Sequence, residues 1–141
     1  MCPDLYANET KEDTTMISWL LAGLAIYYFT LFLPGLFLLP QMGFAAYTGS
    51  RDAEPEPSVH RARALRIQRN SLENIAPFLA LGILALVVPE ADMDQALLGA
   101  QVYVLARVAF LALYIFAVPF VRSLAWIVGF IGLIAMAFAL I

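Results

Sequence analysis

The chain has 141 residues, is 62% hydrophobic and 13% charged, and carries a formal net charge of −3. A soluble domain is about half apolar and about a quarter charged, and one this small has too much surface to hide more; 13% aromatic residues and so few charges equally exclude a disordered chain. The acidic balance excludes a nucleic-acid partner, whose phosphates need a basic face, and the single cysteine, Cys2, excludes a disulfide scaffold or a paired-cysteine zinc site, which leaves a small integral membrane protein with no metal expected.

Residues 1–15 (MCPDLYANETKEDTT) are polar and acidic. They lack the basic start of a secretory signal, and we expect a short solvated tail, mobile around Cys2. Four apolar blocks follow: Met16 to about Tyr47, about Ala64 to Val88, Ala96 to Val118, and Phe120 to Ile141. Each supplies the roughly 20 apolar residues that cross a bilayer as a helix. The blocks are apolar all round, without the alternation of a strand barrel. The expected fold is therefore an all-α integral membrane protein, a four-transmembrane-helix bundle over 16–141, with helices at about 16–47, 61–88, 96–118 and 120–141.

Pro34 and Pro40 predict a kink or an early end in the first helix. Residues 48–60 (TGSRDAEPEPSVH) read as an exposed loop and 89–95 (PEADMDQ) as a tight acidic turn, and the last two helices meet near Pro119. Arg51, Arg61, Arg63, Arg66 and Arg69 cluster at the first connection and Arg122 at the third, while the tail and the second connection are acidic. Basic residues favour the cytoplasmic side, so both termini are expected on the non-cytoplasmic face.

The second helix opens RARALRIQRNSLENIAPF, residues 61–78. At 100° per residue, Arg63, Arg66, Asn70, Glu73, Asn74 and Pro77 fall in a stripe about 100° wide. A polar stripe continuing into an apolar span is costly unless it faces protein or water. Arg61, Arg63 and Arg69 suit snorkelling to lipid phosphate equally well. Arg107 stands near the middle of the third block and needs a partner inside the bundle, since a central arginine costs about 2.5–3.5 kcal/mol on insertion scales. Folding helices two and three about Asp92 brings Glu73 within a turn of Arg107, as its counter-charge, and Tyr114 near Asn70. The resulting ion pair serves either a site or helix register alone. Arg122 and Ser123 open the fourth helix, where free N–H groups favour an anion. Arg66, Asn70, Glu73, Tyr114 and Arg122 would then line a pocket at the cytoplasmic boundary, fit for a small ligand with carboxylates. A cation beside a thiol favours the thiolate.

The run Arg63-x-x-Arg66-x-Gln68-x-Asn70-x-x-Glu73-Asn74 with Pro77-Phe78 resembles the second helix of the MAPEG family, the membrane-associated proteins in eicosanoid and glutathione metabolism. Ala106-Arg107, Tyr114, Arg122-Ser123 and Gly49-Ser50-Arg51-Asp52 extend the likeness over about residues 16–141. The resemblance implies a homotrimer of four-helix bundles in a bacterial inner membrane, with glutathione as cosubstrate between subunits. It implies binding by Arg66, Asn70, Glu73 and Tyr114, with Arg63 and Arg107 beside them, and catalysis by Arg122 and Ser123. The expected function is glutathione-dependent transfer to hydrophobic electrophiles or reduction of lipid hydroperoxides, with a lipid-like second substrate. Two departures support a second reading, a non-catalytic lipid or fatty-acid binder. Met16–Ser50 holds no arginine or lysine, and Phe110 stands where some active members carry histidine or tyrosine.

Overall fold

The computed structural model describes residues 3–141, with side chains from residue 11 onward; Cys2 lies outside the described residues. Four helices follow in order: α1 (Pro3–Thr48), α2 (Val59–Val87), α3 (Met93–Ile115) and α4 (Pro119–Phe138). Each is long and apolar enough to cross a membrane.

The segment read as a solvated tail is helical from Pro3. No glycine or proline interrupts residues 4–22, and hydropathy records exposure rather than backbone conformation. Residues 3–42 therefore extend roughly 60 Å at 1.5 Å per residue, about twice the hydrocarbon thickness. The break in α1 falls at neither proline but at Gly43, whose φ of 76° and ψ of 162° lie where only glycine is unstrained. Helix α3 starts three residues before its apolar run because Asp92 caps it, accepting from the Gln95 N–H at 3.0 Å. It stops at Ile115 because Ala117 turns left-handed (φ 59°) and Pro119 starts the next helix.

The core joins all four helices. Phe78 on α2 is wholly buried and stacks on Tyr103 of α3, with ring centroids 4.2 Å apart. Met16 and Leu20 of α1 and Leu133 and Met136 of α4 complete this cluster. Nearer the other end Leu33, Ala64 and Ile67 pack with Phe37, Leu111 and Tyr114. The α3–α4 pair is closest where Gly99 faces Gly132: a Cβ on either would lie 2.7 Å from the other's carbonyl oxygen. Small residues permit such approach in membranes, where packing rather than water exclusion joins helices.

Long-range bonds close both ends. At the acidic end the Asp92 N–H donates to the Ala139 carbonyl at 2.8 Å and Gln95 Nε2 to the Ala135 carbonyl at 3.1 Å. At the basic end Arg63 Nη1 donates to the Ile115 carbonyl at 3.4 Å, which brings the start of α2 to the α3–α4 turn. Outside, large apolar side chains such as Phe32, Phe44, Phe116 and Phe120 are exposed, a surface suited to lipid rather than water.

Candidate functional site

The polar stripe of α2 straddles the edge of the bundle. Apolar Ile67, Ile75 and Phe78 turn one face of the helix into the core and carry Asn74 with them. Asn74 Nδ2 donates to the Asn70 carbonyl at 2.7 Å, and Tyr103 Oη donates to the Asn74 carbonyl at 3.1 Å. Asn70 and Arg63 are half-buried, whereas Arg66, Arg69, Glu73 and Pro77 are exposed on the far edge.

Arg107 is buried, at 6% exposure, as its depth requires. Its partner is Asn70 rather than Glu73: Nη1 donates to Asn70 Oδ1 at 2.8 Å. The guanidinium also sits 5.1 Å from the Tyr103 ring centroid and 5.5 Å from that of Phe110, two cation–π contacts that disperse its charge. Gly129 of α4 leaves it room, since a Cβ there would lie 3.2 Å from Nη2. Glu73 pairs instead with Arg69 one turn earlier, at 3.2 Å. The expected Arg107–Glu73 pair is thus corrected. The two residues share a depth, but packing of Ile75 and Phe78 rotates Glu73 outward.

The second polar group lies between α3 and α4 at the basic end. The Arg122 guanidinium carbon sits 4.3 Å above the Tyr114 ring, and Tyr114 meets Phe110 edge-on at 5.4 Å. With Ser123, Trp126 and Ile127 these residues line an open cavity of about 350 Å³. Ser123 Oγ donates to the Pro119 carbonyl at 3.2 Å, so its hydroxyl hydrogen is engaged within α4 while its oxygen can accept. Tyr114, expected near Asn70, thus faces Arg122.

Within one chain, then, the predicted residues form three groups. Arg107 and Asn70 are joined inside the bundle, Tyr114, Arg122 and Ser123 share the outer cavity, and Arg66 and Glu73 stand on the exposed edge of α2 with Arg69. Sequence reasoning missed Trp126, which lines the cavity and stacks on Phe130 at 5.6 Å. Its signal was the spacing of four from Arg122 to Trp126 to Phe130, which puts all three on one helical face.

Chemically, the outer cavity joins one cation to an aromatic and aliphatic wall. It can hold an anionic head against Arg122 and an apolar body against Trp126 and Ile127. In comparison with known proteins, residues 16–141 match the MAPEG family model. No curated protein matches the chain.

Proposed function

The chain belongs to the MAPEG family, and on that premise we propose that it is a membrane-bound, glutathione-dependent transferase or peroxidase acting on hydrophobic electrophiles. The observation that carries this reading is the Arg122 guanidinium held over Tyr114 at the mouth of an apolar cavity. Arg122 would stabilise the thiolate of glutathione, and the cavity would hold the electrophile beside it, so that positioning and charge stabilisation share the work. For transfer, the sulfur forms a bond to the electrophilic carbon and the leaving group departs with its electron pair.

The exposed edge of α2 supports an assembled site. Arg66 and Glu73 stand exposed on a helix long and apolar enough to cross a membrane, where a charge facing lipid is costly. A second copy of the chain would cover them, and a homotrimer closes three such contacts by symmetry. Arg66, Asn70 and Glu73 would then offer two cations, an amide and a carboxylate, if Arg63 joins them, to the carboxylates and ammonium of glutathione.

The test is glutathione binding by the purified protein at millimolar concentration, followed by turnover of a generic aromatic electrophile. Arg122→Ala is expected to lower the conjugation rate by about 10²–10³-fold, the usual effect of losing one charge-stabilising group, with assembly intact. Unchanged rates would remove Arg122 from the chemistry. The one-cation, aromatic-walled cavity also favours a second reading, a binder of fatty acids whose carboxylate rests on Arg122. Fatty-acid binding without any glutathione binding would select it.

A further inference from the structure

A different cavity, sharing no lining residue with the Arg122 site, opens between α1, the first connection and α2. The break at Gly43 turns the last residues of α1 back along the helix. Tyr47 then reaches Gly35, where a Cβ would come 2.5 Å from its hydroxyl oxygen. Over Tyr47 lies Arg51, with its guanidinium carbon 4.3 Å from the ring centroid and Nε donating to the Tyr47 carbonyl at 2.7 Å. Arg51 takes a left-handed backbone (φ 58°), a conformation a non-glycine residue keeps only where its surroundings impose it.

The opposite wall is Arg61, 8% exposed. Its Nη2 pairs with Glu54 and its Nη1 donates to the Pro55 carbonyl at 3.2 Å. Its Nε–H is buried with no hydrogen-bond partner among the described residues. Such a donor is expensive to leave unmade. The volume between these groups is about 220 Å³.

We propose that this cavity binds a phosphate-bearing monoanion at the membrane boundary. Two arginines against one glutamate leave a single positive charge, which matches a phosphodiester rather than a dianion. Arginine suits phosphate because its planar fork meets two oxygens at once, and Arg51, which spends its Nε on the Tyr47 carbonyl, keeps its two Nη groups for that fork while Arg61 offers its Nε–H. The remaining walls point to a phospholipid headgroup as the source. Phe32, 69% exposed, and Leu65, 38% exposed, continue from the cavity onto the outer apolar surface, where an acyl chain would lie. Basic pockets at this level of a bundle bind anionic headgroups by the same chemistry.

The experiment uses the full chain purified in a zwitterionic detergent, with thermal stability and native mass spectrometry as readouts. The probes are phosphatidylglycerol, phosphatidylcholine and inorganic phosphate. Phosphatidylglycerol should raise the unfolding temperature and remain bound in the spectrum, and phosphatidylcholine should do neither. Arg61 is buried, so its replacement threatens the loop itself; the variant is the exposed Arg51→Gln. It should weaken phosphatidylglycerol binding about tenfold, the worth of one charged hydrogen bond. Stabilisation by inorganic phosphate equal to that by phosphatidylglycerol supports the phosphate cradle with a soluble phosphate compound as its source. Equal effects of the two lipids without any effect of phosphate, or wild-type binding by Arg51→Gln, would overturn the proposal.

Discussion

Arg107 shows how much of a buried charge a sequence discloses. Its depth is a matter of counting, and burial at 6% exposure agrees with it. Its partner is a matter of rotation, which counting does not give. The stacking of Phe78 on Tyr103 places the middle of the α2–α3 hairpin at Glu90–Ala91, two residues or less from the expected Asp92. Glu73 is then level with Arg107, yet one side-chain step around the helix from the buried Asn74, and it faces out. Helix α2 is apolar enough on several faces that composition alone does not say which one packs. The pairing has a measurable consequence. Asn70→Leu removes the acceptor and should cost about 1.5–3 kcal/mol, the range for a hydrogen bond to a charged group. Joining it to Arg107→Leu should recover part of that loss, because the buried charge goes as well. Denaturation in detergent of both single variants and the double variant reads the coupling, and native stability in Asn70→Leu would refute the pairing.

At the level of whole helices, the spans were legible because each block exceeds the length that water-soluble cores require. The ends were less so, for a reason visible at Asp92 and Pro3: helix caps and polar helical turns carry no hydropathy signal. The contact between α3 and α4 was equally silent, since glycine is common in membrane helices and only proximity reveals its use. Gly132→Ala would place a methyl group 2.7 Å from the Gly99 carbonyl oxygen and 2.9 Å from the Tyr103 nitrogen, both of them backbone atoms that cannot rotate away. The helices must separate, at a cost of about 1–3 kcal/mol. Val128→Ala, on the exposed face of the same helix, should change stability by no more than about 0.5 kcal/mol. Equal melting of the two variants in detergent would show that this approach does not hold the hairpin.

For the molecule as a whole, two connections meet at a basic end and the acidic turn lies at the other, with Glu12, Asp13, Asp92 and Asp94 around one cavity. The charge asymmetry predicts that the basic end is cytoplasmic. In a background with Cys2→Ser, a cysteine placed at Ala91 should react with a membrane-impermeant maleimide in intact cells, and one at Ala53 only after permeabilisation. The reverse pattern would invert the topology. The vertical plan of the candidate site was thus written in where arginines stand along the chain, while its lateral plan, three separate polar groups rather than one, followed from how each helix turns. The Arg107–Asn70 bond joins residues 37 positions apart, with the acceptor first. A ribosome finishes α2 before it starts α3. When the cation enters the bilayer, where an unpartnered arginine is costly, the oxygen that receives it has already been made.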